Sequence, residues 1–182
     1  MKDKNELRLL LSIGFIAVFA ALSFIATTLI RIPIPATGGY FNIGDTFIMI
    51  SALLYGPIIA FFVGLIGPTL SDAIGFPQFI LATAIVKSME GLLIGMIGFS
   101  KKKTSPVKTV IALIVGIMVI VMGYYLFEAY IYPLLAHKIP FFGVTDKAAA
   151  LAEILPNLIQ GIFSALIAFG IWKVFRTGKD IY

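Results

Sequence analysis

Apolar residues run along nearly the whole of this 182-residue chain, so its organisation is read from what interrupts them. Residues 7–30 form one apolar stretch, charged only at Arg8 near its start, long enough as a helix, at about 1.5 Å per residue, to cross roughly 30 Å of hydrocarbon. Arg31 follows, and Pro33 and Pro35 stop the helix. Between Thr46 and Ile74 the pattern stays apolar but is punctuated at Tyr55-Gly56-Pro57 and again at Gly67-Pro68, which fits either one kinked span or two helices with a tight turn. Residues 78–99 form a membrane-length run with Lys87 and Glu90 in its middle, and residues 107–135 and 148–175 supply two further spans.

Charge settles the ambiguity at Gly56-Pro57. Positive loops stay on the cytoplasmic side of a membrane. Two helices there, at 44–55 and 57–74, place the lysines at 101–103 and Lys108 on the same side as Lys2, Lys4 and Arg8. One kinked span would separate them. The predicted architecture is therefore an all-α integral membrane protein, a single six-helix transmembrane bundle over residues 1–182, with both termini cytoplasmic. Ten basic residues then lie inside, three outside (Arg31, Lys138 and Lys147), and Lys87 lies within the membrane. Pro57 suits the first turn of the third helix, where its missing N–H is no loss. The second helix is short and must tilt or share its span with the loop before it.

Composition agrees: 60% of residues are hydrophobic, 13% are charged, and the mean hydropathy is +1.04, more apolar surface than a soluble core of this size needs. The surplus of positive charge sits at helix ends without interleaved aromatics, which argues against nucleic-acid binding. No cysteine is present and His137 is the single histidine, excluding disulfide frameworks, thiolate metal sites and multi-histidine centres. The basic start resembles a signal peptide, but the apolar run after it is too long and lacks a small-residue cleavage site, so it reads as a retained span.

The candidate chemistry lies in and beside the spans. An ionised Lys or Glu inside a membrane is costly and usually faces a protein interior or a watery cavity. At i, i+3, Lys87 and Glu90 share a helix face, either as a structural ion pair or as part of a polar pocket. Residues 31–45 (RIPIPATGGYFNIGD) carry too many polar backbone groups to face lipid, and form a solvated loop or a lid with Tyr40, Asn42 and Asp45 as candidate contacts. The outer halves of the last three helices add Tyr124, Tyr125, Glu128, Glu153, Asn157 and Gln160. Charges of both signs, amides and phenols together suit a small polar ring compound better than a bare ion. Nothing supplies a nucleophile–base pair or a metal-ligand cluster for an intramembrane enzyme, and no phosphate-binding glycine loop is present. Absence of an inverted repeat argues against an ordinary secondary transporter. A ligand-free structural or regulatory subunit is the remaining alternative.

Several of these features together resemble one family. They are the Ala17-xxx-Ala21 face of the first span, the Pro/Gly-rich first loop with Asn42-Ile43-Gly44-Asp45, the Tyr55-Gly56-Pro57 turn, Lys87-xx-Glu90-Gly91, the Gly-Phe-Ser-Lys-Lys-Lys end of the fourth helix and the basic C-terminus. The chain resembles the substrate-binding S component of an energy-coupling factor (ECF) vitamin importer, in the branch with riboflavin, hydroxymethylpyrimidine and pyridoxine types. The resemblance implies a multi-pass protein of a prokaryotic plasma membrane, not an enzyme, with no permanently bound cofactor. Its partners would be a transmembrane coupling subunit and two cytoplasmic ATPases, which alone hydrolyse ATP. Carried over by position, the vitamin would be held by Tyr40, Asn42, Lys87, Glu90, Tyr125, Glu128 and Asn157, and the coupling subunit would meet Ala17 and Ala21. Trp172 lies too near the cytoplasmic end to stack on such a ligand.

Overall fold

The structure, a computed structural model, describes residues 3–35, 39–100, 105–136 and 147–177. Among them the chain forms six helices and one short hairpin. Helix α1 (Lys4–Leu29) starts at Asp3, whose carboxylate accepts from the Asn5 amide at 3.4 Å. Beyond Arg31, where two prolines exclude helix, the chain forms an antiparallel pair instead, β1 (Ile32–Ile34) and β2 (Gly39–Phe41), with Pro33 opposite Tyr40. A two-stranded hairpin has only edges, so a proline that cannot donate is tolerated there. Helix α2 (Asp45–Tyr55) and helix α3 (Pro57–Gly75) are separated by Gly56 alone, at φ 98°, a conformation side chains disfavour. This is the tight turn expected at Gly56-Pro57. The second interruption does not break the chain: α3 continues through Pro68.

One 3₁₀ turn (Pro77–Phe79) leads into α4 (Ile80–Gly98). Ser105 caps α5 (Pro106–Leu126) by accepting from the Lys108 amide at 3.3 Å. Helix α5 runs on through a π-helical turn (Phe127–Ile131), closed by Tyr132 N–H donating to the Phe127 carbonyl, into a last α-turn (Tyr132–Ala136). Helix α6 (Lys147–Thr177) contains Pro156 without a break. The lysines at 101–103, His137 and Lys138 lie outside the described residues.

Among the described residues five helices are long and apolar enough to span a membrane; α2 is not. It lies at the centre, with Ile48, Met49, Ala52 and Leu53 at most 1% exposed. Around it pack Ile94, Ala112, Ile120, Ala168 and Trp172, while Phe79, Val86, Phe127 and Tyr132 form a second cluster toward the hairpin end. Helices α3 and α4 touch along a glycine seam. A Cβ on Gly64 would strike the Lys87 carbonyl, one on Gly91 would lie 2.5 Å from the Ala60 carbonyl oxygen, and one on Gly95 2.5 Å from the Pro57 Cα. The bundle exterior is apolar, with Leu29, Ile74, Leu134 and Leu166 exposed, a surface suited to lipid and not to water. Helix α1 is the most peripheral span: only 11% of its apolar window is buried, against 50% for the span leading through α4.

Candidate ligand-binding site

At the hairpin end the helices part around a small polar cavity of about 30 Å³. Each wall comes from a different element. The roof is Gly39, Tyr40 and Asn42. Asp72 projects from the last turn of α3, Phe79 from the 3₁₀ turn, Thr83 from the start of α4, Tyr124 and Glu128 from the end of α5, and Glu153, Asn157 and Gln160 from the first half of α6. Glu128 lies in the π-turn, where three consecutive residues, Phe127, Glu128 and Ala129, are buried. Such turns recur at functional sites. Within the walls, Thr83 and Tyr124 share a hydroxyl–hydroxyl hydrogen bond of 3.0 Å, and Asn157 donates to Glu153 at 3.4 Å.

The hairpin is fastened over this cavity at two points. Tyr40 donates its phenol proton to Asp72, and Arg31 donates to the Ser71 carbonyl at 2.7 Å and to the Ser71 hydroxyl. The Arg31 guanidinium lies 5.2 Å from the Tyr40 ring centroid and 5.1 Å from that of Phe76, within cation–π range of both. Burial, with the Asp72 carboxylate beside it, pushes the Tyr40 phenol well above its ordinary pKa, so it stays a hydrogen-bond donor at any working pH.

Beneath the roof a buried polar chain joins the cavity to the centre of the bundle. Lys87 Nζ lies 2.6 Å from Asp45 Oδ1 and 3.6 Å from Glu90 Oε2, with all three side chains essentially unexposed. The other Asp45 oxygen accepts from Gln160 Nε2 at 2.7 Å, and Gln160 Oε1 accepts from the Asn42 backbone N–H at 2.8 Å and from its side chain at 3.3 Å. Asn42 Oδ1 in turn accepts from the Gly44 amide at 2.8 Å and from Thr27 at 3.4 Å. One roof residue is thus tied to α1, α2 and α6.

Of the residues expected to hold a ligand, Tyr40, Asn42, Glu128 and Asn157 come together around the cavity, as do Tyr124, Glu153 and Gln160. Lys87 and Glu90 do not line it; they lie behind its wall, and the nearer partner of Lys87 is Asp45, far away in sequence. Tyr125 does not line it either. Its ring packs edge-on against Tyr130, 6.1 Å between centroids, because one helical position rotates a side chain by about 100° and Tyr124 takes the inward place. Asp72, Phe79 and Thr83 are wall residues that the pattern of the sequence does not single out. Ala17 and Ala21 lie exposed, beside an apolar groove between α1 and α3 formed with Ile13, Ile16, Phe24 and Ile66.

The residues thus form a helical membrane bundle with a capped polar cavity at one end. Residues 10–177 match the family described as ECF-type riboflavin transporter, S component. The chain belongs to that family: it is a vitamin-binding transporter subunit of the cell membrane, not an enzyme. It is 32% identical over 152 residues to an "uncharacterized protein in gap 3'region" of Pyrococcus woesei, covering 84% of this chain and 93% of that one. It is 31% identical over 101 residues to a "UPF0397 protein" of Leuconostoc citreum (strain KM20), covering 56% of this chain and 52% of that one. Its fold is similar to a solved structure described under "Structure and mechanism of the S component of a bacterial ECF transporter", with TM-score 0.67, 17% identity and coverage of 91% and 95% of the two chains.

Proposed function

We propose that this chain captures a small water-soluble vitamin or vitamin precursor with a heteroaromatic ring on the outer face of the membrane, and delivers it inward by reorienting in complex with an energising module. The capped cavity carries this reading. It offers aromatic surface from Phe79, Tyr40 and Tyr124 for a ring, and carboxylates and amides from Glu128, Glu153 and Asn157 for its substituents. At about 30 Å³ the fastened cavity is too small for such a ring, so the ligand enters with the hairpin lifted from Asp72 and Ser71 and the walls spread to hold it. Lys87 and Glu90 act from behind the wall, through Asp45 and Gln160, to hold Asn42 in place.

The energising module is a transmembrane coupling subunit and two cytoplasmic ATPases, with ATP bound by the ATPases alone. The exposed Ala17 and Ala21 face of α1 supports docking of the coupling subunit, because small side chains let a second helix approach closely. The positive-inside asymmetry supports both termini lying in the cytoplasm. Thermal unfolding of the purified protein against a panel of vitamins is the test. At least one heteroaromatic member raises the melting temperature, and Glu128→Ala and Asn157→Ala abolish the rise. A panel without effect, or a rise that survives both substitutions, refutes the proposal.

A further inference from the structure

We infer that Glu90 is a second berth for the Lys87 ammonium, vacant while the hairpin is fastened and taken when it lifts, a role that rests on the hairpin lifting to admit a ligand. A carboxylate behind the cavity wall thereby sets how readily the lid opens. Glu90 is fully buried, and among the described residues neither of its oxygens has a hydrogen-bond partner. Lys87 Nζ stands 3.6 Å from it, beyond hydrogen-bond range, and 2.6 Å from Asp45. A buried carboxylate left in that condition is costly, and it becomes intelligible as the partner of Lys87 in a second arrangement of the same groups.

The two carboxylates differ in what they move with. Glu90 is three residues from Lys87 on α4, so the two stay together whatever the lid does. Asp45 is the first residue of α2 and follows β2 after Asn42, Ile43 and Gly44. It is tied to the lid by that short link and again through Gln160, which donates to Asp45 and accepts from both the backbone and the side chain of Asn42. Asn42 Oδ1 closes the loop by accepting from the Gly44 amide. Lifting the hairpin takes Asn42 off Gln160, and the start of α2 is then free to draw Asp45 away from Lys87. An ammonium in the bundle interior is not left alone without a large penalty, and Glu90 is the carboxylate that remains within its reach. In the fastened arrangement Glu90 contributes little, because repulsion from Asp45 offsets its attraction to Lys87. Its weight falls on the lifted arrangement, and that of Asp45 on the fastened one.

Thiol labelling of the full chain in detergent tests this. The protein has no cysteine, so Thr83→Cys places a single thiol in the cavity wall, at a position 3% exposed, for N-ethylmaleimide to reach when the hairpin is up. In that background Glu90→Gln is expected to slow labelling at least about tenfold, because the lifted arrangement loses its partner for Lys87, and Asp45→Asn to speed it, because the fastened one loses its own. Opposite signs separate a berth from general damage, which loosens the lid in both variants. Labelling that is unchanged or faster with Glu90→Gln, or unchanged or slower with Asp45→Asn, overturns the second berth and leaves the lid as the way in. Labelling of the Thr83→Cys protein no faster than its global unfolding shows that the lid stays down, and overturns both the berth and the entry route proposed for the ligand.

Discussion

Removing the Lys87 ammonium is expected to damage the protein far more than removing the carboxylate three residues along from it. Lys87 faces two buried carboxylates, Asp45 at 2.6 Å and Glu90 at 3.6 Å. With an effective dielectric of about 20, Coulomb attraction is roughly 6 kcal/mol at the first distance and roughly 5 kcal/mol at the second. Lys87→Met forfeits both and strands two like charges, and loss of one side of a buried pair typically costs about 3–5 kcal/mol. Glu90→Gln loses the weaker attraction but also relieves repulsion of the same order from Asp45. Neither Glu90 carboxylate oxygen makes a hydrogen bond, so little else is lost. The net change should be within about 1 kcal/mol of zero. Restoring Lys87→Met therefore takes both Asp45→Asn and Glu90→Gln, since either alone leaves a stranded carboxylate; Asn at 45 keeps the acceptor for Gln160. Because none of the three side chains lines the cavity, the neutral triple variant should also bind vitamin within a few-fold of the native protein. Denaturant unfolding in detergent with parallel ligand titration measures both. Glu90→Gln proving as harmful as Lys87→Met would refute the assignment of Asp45 as the main partner, and a stable triple variant that cannot bind would move Lys87 into the ligand site.

Along the glycine seam, Gly91→Ala pushes a methyl into the Ala60 carbonyl and should destabilise the bundle by about 1–3 kcal/mol, read by the same unfolding assay; an unchanged midpoint would show that α3 and α4 separate easily. Ala17→Trp or Ala21→Trp should abolish vitamin uptake in cells while the isolated protein still binds, since neither residue is needed for internal packing; lost binding would mean the α1 face supports the fold. Tyr40→Phe removes the lid's bond to Asp72 and should speed ligand release several-fold in stopped-flow experiments, with association little changed; identical release rates would discount this fastening. A cysteine placed at Lys102 should react with impermeant reagents only from the cytoplasmic side, and labelling of intact cells would overturn the topology.

The fold was legible wherever backbone chemistry leaves one option. Gly56 followed by Pro57 demands a turn, the prolines after Arg31 forbid helix, and α2 is too short to cross alone. Phase was not legible, because a helix apolar on every side gives no polar stripe to mark its inward face. The choice between Tyr124 and Tyr125 is therefore decided only by the packing of α5 against α4 and α6. Partnership was not legible either: local spacing pairs Lys87 with Glu90, but the fold brings the first residue of α2 closer. Asp72 reads as a helix-end marker and Thr83 as one more residue in an apolar run, and only the convergence of α3, α4 and the hairpin turns them into cavity wall. The hairpin itself emerges from a stretch whose residues signal only that it is not helical.

The π-turn in α5 also bears on how such a pocket can change over time. A turn holding one residue more than its neighbours can lose that residue and close up as ordinary α-helix, without disturbing the caps at either end. Deleting Ala129 would leave the helix on either side of the turn facing as it does and re-aim only the side chains within Phe127–Ile131, Glu128 among them, while α1 to α4 and their seam stayed as they are. Specificity in this scaffold is then adjustable by length as well as by substitution: a single codon gained or lost near Phe127–Ile131 re-aims one wall of the cavity at once, where point changes would have to rebuild it residue by residue.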